Sequence, residues 1–440
     1  MPRFKNNTLA VTLLPTTLLS LSIISLPATA DITKEIEDAL NFYHYGNNGA
    51  IKADINYRWE NNNQNAGPTI PGTKPAQNVE TANANTARLR LGLLSPSFYD
   101  FQAYAEYQGN YALQDDYNQG VLVKNTNYSV IQDPQRSELD QLWLSYKGIA
   151  DSLVKFGRQR IKYDDDRFIG NVGWRQLEQT YDAVSLTHNN QTIFGLTVNA
   201  AYLGHLQDPL GQNAKLSAPI LNLNYKIPDW GNLIAYGYWL DFQDSSNAAK
   251  SSQTYGLRFD GKSPQFYDAI NFLYTAEWGN QSDYANNPNH YSADRINLMG
   301  GISGFDISLQ GAMEQLDGYG VNKTFNTPLG TNHAFQGWAD VIKNPINATA
   351  PAGAALGQGI RDVFATASYK MLNDSLIFTG IYHDFYDDTG SVKFGSEWDL
   401  SLLKKFGKHY SLLAKYADFN TGNIAFTDTQ KIWLQANISY

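Results

Sequence analysis

The stretch Ile51-Lys52-Ala53-Asp54-Ile55-Asn56-Tyr57-Arg58-Trp59 decides the fold. Every odd position is apolar or aromatic and every even one is polar. A helix would scatter these residues around its surface, whereas a strand puts one set on each face. The pattern returns in Ala87-Arg88-Leu89-Arg90-Leu91, from Phe101 to Tyr107, in Leu221-Asn222-Leu223-Asn224-Tyr225-Lys226 and from Val363 to Lys370. Counting such segments gives about 18 strands, an even number within the range of single-chain outer-membrane barrels. They begin near residues 50, 86, 99, 138, 152, 179, 192, 218, 231, 253, 267, 291, 305, 362, 375, 393, 409 and 430.

The connections support the same architecture. Short links at Ser95-Pro96-Ser97, Gly148-Ile149-Ala150, Asn189-Asn190, Pro228-Asp229, Ser263-Pro264 and Asn373-Asp374 alternate with long polar stretches at 61–84, 114–136, 164–178, 204–216 and 316–360. Short periplasmic turns and long outer loops are the asymmetry of transmembrane barrels, and a soluble sandwich has no reason to adopt it. The fold expected is all-β: a transmembrane, antiparallel, up-and-down β-barrel over residues 49–440. The longest stretch, 316–360, either folds into the pore as a constriction or caps it from outside.

Composition agrees. Tyr, Phe and Trp make up 13% of the chain while its mean hydropathy is negative. That combination suits strands that hide an apolar residue at every second position. The absence of cysteine argues against a disulfide scaffold. At the start, Arg3 and Lys5 precede an apolar run from Leu9 to Leu26, closed by Pro27-Ala28-Thr29-Ala30. This is the order of a cleaved secretory signal peptide over residues 1–30, with the mature chain beginning at Asp31. Formal charge falls from −9 to about −11 once Arg3 and Lys5 leave, and nothing in so acidic a chain suggests a nucleic-acid partner. Residues 31–48 carry Ile32, Ile36 and Leu40 at helical spacing and read as a short periplasmic segment. The last strand alternates to the end, finishing on the aromatic Tyr440. This resembles the C-terminal signal read by the barrel-assembly machinery.

If the apolar set faces outer-membrane lipid, the interleaved set faces the lumen. It contains Lys52, Arg58, Arg88, Arg90, Lys226, Arg258, Arg295, Lys370, Lys415 and Lys431, with the acids Asp54, Glu106, Asp260, Asp306, Glu314, Glu397 and Asp399 among them. Basic groups along a narrow tube attract anions. Amides and aromatic rings between them suit hydroxylated, carbohydrate-like solutes. The alternative role for each arginine is a partner in an ion-pair ladder across neighbouring strands. The segment 153–186 adds Arg158, Arg160, Arg167 and Arg175 around an Asp164-Asp165-Asp166 run, as an inward-folded constriction or as a self-paired surface loop with Trp174 as its anchor. Three adjacent Asp offer oxygen ligands but not the spacing of a known calcium loop, so no metal or cofactor is assigned. Parity is a difficulty here. Val154 and Phe156 share a strand face with Arg158 and Arg160, which calls for a bulge at Gly157 or for both arginines to stand above the lipid.

Several motifs in this region resemble the alginate export family. They are Gly157-Arg158-Gln159-Arg160-Ile161, Asp165-Asp166-Arg167-Phe168-Ile169-Gly170, Gly173-Trp174-Arg175-Gln176 and Gln179-Thr180-Tyr181-Asp182-Ala183. Asn85 to Gly92, Asp133-Pro134, Glu138 to Leu144 and Asp428 to Leu434 are similar to further parts of it. The resemblance implies a monomeric channel in a Gram-negative outer membrane, with a basic pore suited to an anionic polyuronate. A periplasmic export partner would supply any work. The rival readings are a porin for other small solutes, a receptor whose outer loops bind, and a barrel enzyme. None of the seven histidines belongs to a recognisable nucleophile motif, and His383-Asp384 reads as solvated charge at a strand's outer end.

Overall fold

The computed structural model describes residues 49–64, 79–120, 125–267, 269–342, 357–422 and 426–440. The signal peptide and the 31–48 segment expected from the sequence lie outside them. Strands are β1 (Ala50–Gln64), β2 (Ala82–Leu94), β3 (Phe101–Asp116), β4 (Arg136–Tyr146), β5 (Ser152–Gln159) and β6 (Thr180–Asn190). They continue with β7 (Leu196–Gln207), β8 (Asn213–Ile227), β9 (Gly231–Phe242), β10 (Ser252–Lys262), β11 (Asn271–Asp283) and β12 (Ser292–Gly304). The last are β13 (Ile307–Leu316), β14 (Ile360–Met371), β15 (Leu376–Tyr386), β16 (Lys393–Phe406), β17 (Tyr410–Thr421) and β18 (Thr429–Ser439).

Each strand pairs antiparallel with the next, and β1 pairs with β18 from Asp54↔Ser439 to Gln64↔Thr429. The sheet therefore closes on itself and leaves no free edge, as a lipid environment requires. The deciding stretch behaves as its alternation dictates: Ile51, Ile55 and Tyr57 are exposed, while Lys52, Asp54, Asn56 and Arg58 are buried. Large side chains crowd the short turns, among them Tyr99, Phe194, Tyr267 and Phe305. Rings at this level form the belt expected at a membrane–water boundary. In the two-residue β12–β13 turn Phe305 and Asp306 both have positive φ, the hairpin geometry that matches strand twist. Asp306 is thus exposed in a turn and not in the lumen.

The loop alternation has one clear exception. Residues 204–216, read as a long outer stretch, are mostly strand: β7 runs to Gln207, β8 starts at Asn213, and 208–212 alone connect them. A register shift at Leu203/His205 carries the pairing past Gly204, and Ala214, Leu216 and Ala218 remain buried on the inner face. The inner face of β8 and β9 is itself largely apolar. Ile220, Ile234, Tyr236, Tyr238, Leu240 and Phe242 point inward against Phe168, Ile169, Phe325 and Leu329. A second inward cluster joins Trp174, Trp338, Phe364, Phe385, Phe419 and Trp433. The barrel therefore has hydrophobic cores inside its lumen, made by loops that fold in.

The parity problem on β5 is solved without a bulge at Gly157. Phe156 is 67% exposed opposite Leu144 and Val184, and Arg158 shares its face. The strand ends at Gln159, so Arg160 leaves the sheet and turns inward. The extra residue lies across the ladder, where Glu106 pairs with Gln141 but Tyr107 with Leu139, so that Asp140 is extruded. Gly157 is needed for another reason. Its φ is +119°, and a Cβ there would stand 2.3 Å from the Leu142 carbonyl oxygen.

Candidate functional site

Two segments cross the lumen. Residues 160–179, between β5 and β6, run from one wall to the other. Asp164 accepts from Asn222 on β8 (2.7 Å), Asp165 pairs with Arg258 on β10, and Arg167 forks onto Glu314 on β13 (2.9 and 3.1 Å). Trp174 reaches the far side, where its carbonyl accepts from Arg58 on β1 (2.6 Å) and its ring meets Trp433 on β18. The described part of the β13–β14 connection, 317–342, folds in beside it. Gly170 N–H donates to Leu329 (3.0 Å), and Thr331 N–H donates to Asp166 (2.9 Å). A Cβ on Gly330 would lie 2.1 Å from the Arg167 carbonyl oxygen, so glycine allows the two backbones to meet. Farther along, Trp338 and Ala339 N–H groups donate to Asp399 and Glu397 on β16 (3.1 and 2.6 Å). Both segments thus fold inward, and 343–356 lie outside the described residues.

This geometry sorts the basic residues expected in the pore. Arg88 pairs with Asp54, and Lys52 with Glu106 at 3.0 Å. Arg90 stands 3.7 Å from Glu178 and donates to Gln108, while Arg160 pairs with Glu178. Arg58 pairs with Asp133 at 3.3 Å, and Arg175 bridges Glu60 and Asp340 at 3.3 and 3.0 Å. Arg295 holds Glu277 and Glu314, both at 2.8 Å, and Arg258 joins Asp165 and Glu277. All these cations but Arg160 are under 9% exposed, and the Arg160 side chain is at 7%. Charges so enclosed are held by partners, and removing one partner strands the other. Arg58, Arg90, Arg160, Arg175 and Arg258 tie inward segments to the wall, whereas Arg88, Lys52 and Arg295 join strands of the wall to one another. Arg158 stands apart, on the outward face at the outer rim, forked onto Asp182 and bonded to Gln207. It does not line the lumen.

Lys226 and Lys370 differ. They lie on the inner faces of β8 and β14 close to the periplasmic turns, exposed and half-buried respectively. Neither has a carboxylate within ion-pair distance among the described residues. Beneath the 160–165 segment, on the wall from β5 to β10, a cavity of about 460 Å³ is lined by Lys155, Ser185, Thr187, Asn199, Asn222, Asn224 and Asn232, with Arg258 and Asp260 at its edge.

The Asp164-Asp165-Asp166 run is not a calcium loop, since its carboxylates diverge to Asn222, Arg258 and Lys162. Burial pushes the Asp164 carboxyl up to about 7. Glu106, Asp140 and Glu178 bring carboxylate oxygens within 4.8 Å of one another, but Lys52, Arg90 and Arg160 enclose them, and three cations balance the three acids. His383 is no solvated outer group. It is 2% exposed, bonded to Asp362 at 3.0 Å and stacked between Phe364 and Phe385. Lys415 faces the lumen as its alternation implies, but sequence reading did not foresee its surroundings: its ammonium sits 4.0 and 3.8 Å from the Trp174 and Trp338 ring centres. The contact joins residues far apart in the chain, so no local pattern reports it.

Comparison with known proteins agrees with this architecture. The alginate export model matches residues 77–282, which contain the crossing segment 160–179. No curated protein matches the chain. Among solved structures, Acinetobacter baumannii OccAB4 superposes with a TM-score of 0.63 at 13% identity, over 89% of this chain and 98% of that one. Pseudomonas aeruginosa OccK5 (OpdH) gives 0.61 at 14%, over 89% and 98%. Pseudomonas aeruginosa OpdK, solved with vanillate, gives 0.63 at 10%, over 89% and 99%. At such identities the likeness is one of fold. Residues 77–282 are similar to the alginate export family, and the chain folds as an eighteen-stranded porin of the Gram-negative outer membrane.

Proposed function

We propose that this porin passes anionic, hydroxylated solutes of uronate or short oligouronate size, and that the solute meets lysines and amides in the periplasmic half of the lumen. The observation that carries the reading is the position of Lys226 and Lys370, which face the lumen near its inner mouth with no carboxylate in pairing distance among the described residues. A cation free of an acid partner in a low-dielectric tube attracts small anions and slows cations. The nearby cavity adds hydroxyl and amide groups from Ser185, Thr187, Asn199, Asn222, Asn224 and Asn232, the donor and acceptor mixture that sugar hydroxyls match. A barrel holds no energy source, so flux runs down a gradient unless a periplasmic partner does work.

A second reading is a channel for small non-sugar carboxylates. It is favoured by the two segments that cross the lumen and by the modest size, about 460 Å³, of the cavity beneath the first of them. OpdK, of the same fold, was solved with vanillate. Blocking of single-channel current in planar bilayers separates the two. Under the first reading short oligouronates block more strongly than neutral oligosaccharides of the same length, and more strongly than vanillate. Block by vanillate alone would favour the second, and block by neutral sugars alone would remove both.

A further inference from the structure

We propose that His333 and Lys415 form a latch that holds the constriction closed, and that protonation of His333 releases it. The proposal rests on the channel fold and not on the solute's identity, so a failed blocking experiment leaves it standing.

His333 sits in a short 3-10 turn (Asn332–Ala334) of the 317–342 segment, where it is buried. Its ring stacks on Trp174 of the other crossing segment, with centres 4.4 Å apart and planes within 5°. Lys415 Nζ on β17 lies 2.8 Å from His333 Nε2, and Asp340 Oδ1 lies 3.1 Å from Nδ1. A lysine ammonium can only donate, so Nε2 is the acceptor and the ring proton sits on Nδ1, facing Asp340. The neutral ring therefore ties three parts together: the 317–342 segment, the 160–179 segment through Trp174, and the β17 wall through Lys415.

Protonation takes the Nε2 lone pair and sets a second cation against Lys415. Among the described residues, the other charges around the ring are already engaged. Asp340 is already shared by Arg175 of the 160–179 segment (3.0 Å) and Lys431 on β18 (3.3 Å). On β16, Asp399 and Glu397 accept from the backbone of Trp338 and Ala339, and Trp433 on β18 meets the ring edge-on. One added positive charge thus breaks the hydrogen bond that joins segment to wall, in a place where Lys415, Lys431 and Arg175 already converge. The Trp338 and Trp174 faces around Lys415 lose their shared anchor with it.

The test is single-channel conductance of the full protein in planar bilayers, with equal pH on both sides, from about pH 7.5 down to about pH 5, the range in which histidines titrate. We expect the open population to grow as pH falls, by at most about tenfold per pH unit, the limit for one proton. His333→Gln keeps an acceptor for Lys415 and a donor for Asp340 but cannot be protonated, and should stay closed throughout. Lys415→Gln removes the cation that protonation opposes and should also lose the dependence, which covers the case in which the His333 variant does not assemble. Asp164, another titratable group on the crossing segments, acts with opposite sign, since its protonated form is the docked one. A flat wild-type profile, or opening at low pH that persists in both variants, would overturn the proposal.

Discussion

The two halves of the lumen use positive charge in different ways. Toward the outer side, Arg58, Arg167, Arg175, Arg258 and Arg295 are enclosed and each holds one or more carboxylates from another part of the barrel. Toward the periplasmic side, Lys226 and Lys370 face the lumen with no such partner among the described residues. The difference follows from the residues themselves. A guanidinium has a planar fork that matches a carboxylate bidentately, as Arg167 does with Glu314, and it is the more weakly hydrated cation. An ammonium is a compact, strongly hydrated charge and stays useful where water remains. Positive charge in this barrel therefore does not mean a positive pore throughout: the enclosed arginines, with Lys52, Lys415 and Lys431, hold the interior together, and on the proposed reading Lys226 and Lys370 set the field.

The comparison is broken most severely by removing an arginine. Arg295→Met removes a partner that Glu277 and Glu314 share while leaving each one other arginine, so the loss should approach but not exceed the roughly 3–5 kcal/mol of a fully stranded buried charge. Thermal unfolding of the detergent-solubilised barrel should register that loss, and an unchanged midpoint would mean that the network is not holding the fold. Trp174→Ala comes next. Truncating a buried indole costs about 3–5 kcal/mol at full burial, here spent mostly on docking the crossing segment against Trp433 and Lys415. Conductance should rise with a smaller change in unfolding midpoint than for Arg295, and unchanged conductance would show that the segment does not restrict the pore.

A subtler handle is Asp164. Its carboxyl is raised from the ordinary carboxylate range to about 7, so the docked segment binds the proton more tightly than the released one. The contribution to docking is complete below about pH 4 and is lost as pH rises toward about 7, by at most about tenfold in docking constant per pH unit. Hydrogen exchange over 160–170, corrected for the intrinsic pH dependence, should therefore quicken across that window. In Asp164→Asn the window should vanish, and its persistence would assign the effect to another group. The smallest structural effect belongs to the lysines. Lys226→Gln with Lys370→Gln should move stability by no more than about 0.5 kcal/mol, as surface substitutions do.

The strands and their inward faces were readable because a period of two is a local property, and the outward set of β1 (Ile51, Ile55, Tyr57) followed directly. The wall of β8 and β9 was less so. Ile234, Tyr236, Tyr238 and Leu240 face inward, and Leu233 and Trp239 outward, so both faces are apolar and alternation carries no signal there. Their inward character depends on Phe168 and Phe325, which arrive from loops. The charge network was hidden for the same reason. Arg167 meets Glu314, and Arg58 meets the Trp174 carbonyl, across separations that no spacing rule reaches. Arg158 and Arg160, two residues apart, part company because β5 ends between them. His383 was misread since its strand position looked terminal, whereas Asp362 and two phenylalanines enclose it.

The division of labour between arginine and lysine is tested most directly by reversal potential in a salt gradient, measured on wild type, on Lys226→Gln with Lys370→Gln, and on Arg88→Gln with Arg90→Gln. The account predicts anion preference in the wild type, a shift toward cations in the lysine pair, and no shift in the arginine pair beyond a loss of stability. A shift in the arginine pair with none in the lysine pair would contradict it.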